Sequence, residues 1–239
     1  MHEADAPPAL QADAAVEVRR LFDGARGCDT FAQRILSFHD RSEERLDTEA
    51  DEVLYVLAGE GEATIEGFEH RLAPGTAAFV ARGMAWSVDD VGADDPLTVL
   101  SVLVREPQDT GAGHSVLQLS EDATHGATAG RQFSLGVTPE VGCVSVTQFV
   151  GFIPVGRAPD HYHRYDEVVY VLEGDGFVYA AGERAVLEAG SCVHLPAGLV
   201  HCLENTCPSV MRVLGVFRRA GSPAEAYYPD GTSALVPDE

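Results

Sequence analysis

The sequence predicts an all-β protein of two similar sandwiches or barrels in tandem. Three observations lead there: an internal repeat, a series of short strand-like segments in each copy, and weak helical periodicity. The repeat is plainest where "DEVLYVLAGEGEAT" (51–64) reads against "DEVVYVLEGDGFVYA" (166–180). Gly27-Cys28 matches Gly142-Cys143, Gln33 matches Gln148, Gly59 matches Gly174 and Gly83 matches Gly198. The spacing is constant, since 142 minus 27 and 198 minus 83 both give 115. Over that span neither copy has gained or lost a residue.

The first domain is expected over about 12–106. Asp13 to Phe22 is the one stretch with some helical period. After it come "DEVLYVLAG", "HRLAPGTAAFVARG" and "LTVLSVLVR", runs of branched and aromatic residues punctuated by Gly and Pro, which read as strands. A Gly/Thr/Ser-rich linker, 107–130, follows. The second domain is expected over about 131–221, with "CVSVTQFVGFIP", "DEVVYVLEG", "AVLEAGSCVHLPAG" and "MRVLGVFRR" as its strand signals. The tail, 222–239, is expected to lie over a surface. Residues 168–172, Val-Val-Tyr-Val-Leu, are apolar on both faces, where a half-buried strand would alternate. The sister domain, a second subunit or the tail must cover the outer face. This points to a tight two-domain body and makes a homodimer a candidate.

Composition narrows the partners. The formal net charge is −22, and a surface that acidic repels phosphate backbones and anionic lipid. Nucleic acid and membrane are therefore not expected as partners, whereas a small-molecule substrate is. All 16 basic residues are Arg, so no Lys can form a Schiff base with a substrate. Five cysteines without a C-x-x-C pair do not form a disulfide framework. "MHEADAPPAL" has neither the basic start nor the apolar segment of a signal peptide, and no apolar run approaches the length of a bilayer span. A cytoplasmic location is expected.

The chemistry lies in "HYHRYDE" (161–167) and "GSCVHLPAGLVHCLEN" (190–205). Side chains two apart on a strand share a face, so His161, His163 and Glu167 project to one side if the strand runs through them. His201 opens the strand after the Pro196–Gly198 turn. Three imidazoles and a carboxylate converging inside a barrel would make a site for Zn, Fe, Ni, Cu or Mn.

On these residues the sequence resembles the cupin superfamily. The first cupin motif is matched by Gly156, His161, His163, Glu167 and Gly174, with a spacer after Gly156 one residue shorter than usual. The second is matched in full by Gly190, Pro196, Gly198, His201 and Asn205. The resemblance implies a bicupin, two jelly-roll barrels in one chain. It further implies that His161, His163, Glu167 and His201 bind one divalent transition metal per chain (Fe, Mn, Zn or Ni). At the spacing of 115, Leu46 stands for His161, Thr48 for His163 and Trp86 for His201, and only Glu52 survives. The first barrel is therefore expected to be metal-free, with Trp86 plugging the vacated space or, on a rival reading, marking a site for another organic ligand.

Around the site, Gln148, Tyr165 and His194 are candidates for the substrate cavity, His194 also for a proton shuttle. Four protein ligands leave one or two open positions on the metal, the mark of a catalytic site. A small-molecule dioxygenase is the first functional expectation, with Glu167 as ligand and catalytic proton acceptor. A redox-neutral isomerase, decarboxylase or lyase using the metal as a Lewis acid is the second. A non-catalytic binding or sensor protein is the third.

Overall fold

The structure is a computed structural model that describes residues 1–10, 14–92, 95–105, 113–120 and 124–234. Antiparallel strands dominate it. Among the described residues the only helical pieces are 3-10 turns of three residues. None is long and apolar enough to cross a membrane.

The chain divides into two compact units. One comprises Glu3–Leu119 and Gly136–Ser145, the other Met1–His2, Ser120–Leu135 and Val146–Glu239. The edges differ from those read in the sequence, because short segments are exchanged. Cys192 N–H donates to the Met1 carbonyl, which ties the first residues to the second barrel. Ser145 Oγ donates to Asp51 Oδ2 at 3.2 Å, which ties a piece of the second repeat to the first. Single hydrogen bonds of this kind leave no mark on hydrophobic periodicity.

Each unit is built from two sheets. In the first, the larger sheet runs Pro8–Leu10, Val16–Phe22, Phe31–Phe38, Leu97–Arg105, Ala50–Ala58, Thr76–Val80, His114–Gln118. The smaller runs Arg45–Leu46, Ala85–Val91, Gly61–Ile65, Phe68–Leu72. In the second unit the larger sheet is His125–Gly126, Gln132–Leu135, Thr147–Ile153, Met211–Arg218, Asp166–Glu173, Cys192–Leu195. Its partner is Gly156–Arg157, His201–Asn205, Gly176–Ala180, Glu183–Leu187.

Asp13 lies outside the described residues, and over 14–22 the helical period does not produce a helix. Val16–Phe22 is a strand in which buried Val16 and Val18 alternate with half-buried neighbours. It pairs with Phe31–Phe38, and a register shift between Arg20 and Phe22 lets Leu21 turn inward as well. That extra residue breaks the two-residue alternation and mimics a helical spacing.

Each barrel fills its own interior. The first packs Leu36, Phe38, Leu54, Val56, Ile65 and Trp86 together, and the second packs Ile153, Val169, Val171, Leu195, Met211 and Val213. Burying each such side chain contributes about 1.5–3 kcal/mol, so neither core depends on a ligand. Val168 and Tyr170, on the other face of their strand, are buried too.

The register refines the repeat. Glu52 pairs with Leu103 as Glu167 pairs with Phe217. The last strands therefore correspond at 217 minus 103, or 114, one residue less than the rest of the repeat. Structurally, Ser101 stands where Gly215 stands, and Arg34 where Phe149 stands.

Candidate metal centre

The two sequence motifs meet through backbone hydrogen bonds. His161 and His201 form an antiparallel bridge, each N–H donating to the other's carbonyl at 2.9 and 2.8 Å. Their imidazoles therefore lie side by side, with centroids 4.7 Å apart. His163 joins them through the Pro196–Gly198 turn. Gly198 has φ +77°, a conformation costly for any residue with a Cβ, and its N–H donates to the His163 carbonyl at 2.8 Å. Asn205, the last residue of the second motif, is fully occupied in structure. Its Nδ2 donates to Ile153 O and Ser209 O, and its Oδ1 accepts from Cys207 N–H.

One expectation is corrected here. The strand does not run from His161 to Glu167, because the chain bends at Arg164 and Tyr165 and strand resumes only at Asp166. Glu167 reaches the histidines from a different strand of the barrel, not by shared parity.

Ligand atoms of His161, His163 and His201 all lie within 4.8 Å of one another. In each ring Nδ1 is engaged by a backbone carbonyl: Pro159 O at 3.0 Å, Glu225 O at 2.8 Å and Leu199 O at 2.8 Å respectively. A carbonyl only accepts, so each Nδ1 carries the proton and each Nε2 is left with a bare lone pair. Burial holds all three rings neutral, with His163 depressed to about 4, His201 to about 3, and His161 also below its ordinary value. Three neutral imidazoles with converging lone pairs fit a divalent transition metal, and carbonyls behind metal-binding histidines fix ring orientation.

The fourth group is Glu167. Its Oε2 lies 4.0 Å from His201 Nε2. Burial pushes its carboxyl up to about 8, and the positive field of Arg131 only partly opposes this. The first barrel handles the equivalent carboxylate differently. Burial raises Glu52 too, but Arg34 and Ser101 more than reverse it and hold the carboxyl below its ordinary value. Arg34 Nη2 donates to Glu52 Oε1, as does the Ser101 hydroxyl, and Trp86 Nε1 donates to Oε2 at 3.2 Å. Trp86 is thus a plug with a hydrogen bond, packed edge-on against Phe38. In the second barrel Phe149 and Gly215 replace Arg34 and Ser101, and the Phe149 ring fills the space above Gly215. Glu167 has neither donor, and a metal ion would be a charge partner in their place. Leu46, expected in the place of His161, is instead 56% exposed. Arg45 lies opposite Trp86 in its stead and stacks on the indole. Thr48 is exposed.

A cavity of ≈ 70 Å³ opens onto the histidines and Glu167. Its walls are mainly apolar, including Phe133, Phe149, Leu195, Leu203 and Phe217. Gln148, Tyr165 and His194 are not among its lining residues. Gln148 is buried, His194 pairs with Val168 on the strand beside Leu195, and Tyr165 stands behind His163 with its ring 5.4 Å away. Two lining features carry no motif signal. One is Arg131, the first residue of the predicted second domain. The other is the tail, through Pro223 and Ala226. Tyr165 Oη donates to the carbonyls of Ser222 and Glu225, and Tyr162 and Tyr227 bridge through their backbones. The tail covers the site's rim, and this could be foreseen only as coverage of an unspecified surface.

Residues 148–217 match the family described as "Cupin domain". An uncharacterized protein from Aquifex aeolicus (strain VF5) is 34% identical over 62 residues, which are 26% of this chain and 51% of that protein. The chain thus matches about half the length of that curated relative. Among solved structures the chain is similar to AerE from Microcystis aeruginosa (14% identity, 89% of this chain and 96% of that chain, TM-score 0.71). It is also similar to a mutant of Bacillus subtilis oxalate decarboxylase OxdC (12%, 96% and 79%, TM-score 0.76). Protein YlbA from E. coli is a third (11%, 91% and 89%, TM-score 0.74). At these identities the likeness is one of fold.

Proposed function

Since residues 148–217 form a cupin domain within a two-barrel cupin fold, we propose that the chain is a metal-dependent enzyme acting on a small organic molecule in its second barrel. His161, His163 and His201 would hold one divalent transition metal through Nε2, with Glu167 as the fourth ligand. The observation that carries this reading is the set of three Nδ1–carbonyl hydrogen bonds, which leaves three lone pairs converging beside a buried carboxylate. The metal supplies Lewis acidity when bound and, if it is iron, oxygen chemistry on the substrate.

The chain's own groups do the rest. The carbonyls of Pro159, Glu225 and Leu199 keep the rings aimed. The phenyl-lined walls keep water from the reacting molecule. Glu167, pushed up to about 8 by burial while no metal is bound, would take up a proton when displaced from the metal. The apolar walls favour a dioxygenase-type reaction. The proton-exchanging carboxyl favours the second reading, a redox-neutral decarboxylase, isomerase or lyase, and the likeness of fold to oxalate decarboxylase accords with it.

Elemental analysis of purified protein tests the common ground: one metal per chain is expected, lost in His161→Ala and His201→Ala. No metal, two metals, or metal retained by both variants would overturn the proposal. Substrate turnover with and without air then separates the two readings.

A further inference from the structure

Arg131 lines the cavity with the three histidines and Glu167. Its Nη2 donates to the Leu203 carbonyl at 2.7 Å, which pins the guanidinium to the strand that carries His201. A guanidinium has five N–H donors. Among the described residues this one spends a single side-chain hydrogen bond on the protein and has no carboxylate within 4.0 Å. That is unusual in a chain with 38 acidic residues and 16 basic ones, and Arg131 is half-buried besides. Burial pulls its pKa down and Glu167 pulls it up, and an arginine stays charged through such shifts.

The backbone leading to Arg131 is held in an imposed shape. Ala127 N–H donates to the Arg131 carbonyl across the turn Thr128–Gly130, inside which Ala129 has φ +60°. Non-glycine residues in that region carry strain, and such strain clusters at functional sites. The repeat supplies an independent observation. Gln132 pairs with Phe152 as Glu17 pairs with Ser37, so the position of Arg131 is that of Val16 in the first barrel. Val16 is wholly buried in the apolar core there. At this position the cation is present only in the barrel that has the histidines.

We propose that Arg131 receives the anionic end of the ligand, and that the second barrel takes a small carboxylic acid with an apolar body. A planar guanidinium with free parallel donors matches a carboxylate. The phenyl walls match an apolar body. Among the described residues no second Arg lines the cavity to share the charge of a phosphate dianion. The volume of ≈ 70 Å³ limits the ligand to a few heavy atoms. Turnover of such an acid rests on the metal-enzyme reading above. Its binding to Arg131 does not.

The test compares butanoate with its neutral isostere butanamide by ligand-detected NMR, on chelator-treated and metal-loaded protein. Butanoate is expected to bind chelator-treated protein about tenfold or more tightly than butanamide does, the worth of one charge-assisted pair. Arg131→Met should erase that preference, and Arg131→Lys should keep part of it. Metal affinity of Arg131→Met should hold or rise, because a nearby positive charge has gone and no ligand has. Equal binding of acid and amide by the parent, no binding of the acid, or an acid preference undiminished in Arg131→Met would overturn the proposal. If Arg131→Met fails to fold, the parent's acid–amide comparison and Arg131→Lys decide. A chain that takes up no metal yet prefers the acid through Arg131 would refute the enzyme reading and leave this one standing.

Discussion

Arg34 Nη2 lies 2.9 Å from Glu52 Oε1 inside the first barrel, and at the same position of the second barrel stands Phe149, which offers Glu167 nothing. The two glutamates share a place in the repeat and differ in what balances their charge. In the first barrel a guanidinium, a hydroxyl and an indole complete the carboxylate. In the second the histidines come with a carboxyl left uncompensated and a cavity beside it. The first barrel has an internal ion pair where the second has a cluster of histidines beside its carboxyl.

Arg34→Met should therefore be costly. It leaves Glu52 buried without its cation, and breaking a buried pair from one side costs about 3–5 kcal/mol. Adding Glu52→Gln should recover most of the loss, because the uncompensated charge goes too. Denaturant unfolding of the single and double variants measures this. A single variant as stable as the parent would mean that Arg34 is not what holds Glu52 ionised.

His163→Ala should lose metal without losing the fold. The ring's Nδ1 hydrogen bond to the Glu225 carbonyl and its packing are worth about 1–2 kcal/mol, against a core that does not include it. Metal content should fall well below one per chain, and any turnover should fall with it. Thr48→Ala, exposed in the first barrel at the repeat spacing of 115 from His163, should change none of these. Melting temperature and metal content of both variants check it. Activity lost in Thr48→Ala and kept in His163→Ala would place the chemistry in the wrong barrel.

Much of this was legible in the sequence because it is periodic or spaced. The repeat at 115, the branched runs and the His161/His163/Glu167 and His201 motifs are patterns along the chain, and each recurs in the structure. What could not be read depends on neighbours distant in sequence. The shift of one residue in the last strand equates Ser101 with Gly215, and only the pairing of Glu52 with Leu103 and of Glu167 with Phe217 reveals it. Arg45 takes the place opposite Trp86 and Leu46 turns outward, a register set by the pairing of a two-residue strand and not by the spacing along the chain. Arg131 sits just after a Gly-containing turn, as surface arginines commonly do, and nothing local says that it points into a cavity.

The metal-free protein should be most stable near pH 6.5. Glu167 has a folded pKa of about 8, above its ordinary 4.5, so between these values the folded state binds the extra proton and stability falls as pH rises. His163 and His201 have folded values of about 4 and 3, below their ordinary 6.5. Below pH 6.5 the unfolded chain therefore binds more protons, and stability falls as pH drops toward 3. Melting temperatures of chelator-treated protein across pH 4–9 trace both limbs. Glu167→Gln should flatten the alkaline limb and steepen the acid limb between pH 4.5 and 6.5, where the carboxyl opposes the histidines; an unchanged alkaline limb would show that the carboxyl is not the group responsible.

Metal uptake should release about one proton per ion at pH 7, and its source should be Glu167. A carboxyl with a pKa of about 8 is mostly protonated at that pH and must ionise to become a ligand. The imidazoles contribute none, since all three are already neutral with Nε2 bare. Calorimetric titration in buffers of different ionisation enthalpy counts the proton directly. The count should drop toward zero by pH 9, where the carboxyl is already ionised. It should vanish in Glu167→Gln, whose neutral amide has no proton to give. It should stay near one in Glu52→Gln, because Glu52 is ionised against Arg34 whether or not the second barrel is filled. Two or more protons at pH 7 would mean that histidines enter the site charged, against the burial and carbonyl bonds that hold them neutral. No release from the parent would mean that Glu167 stays protonated and outside the coordination sphere, leaving a site of three histidines.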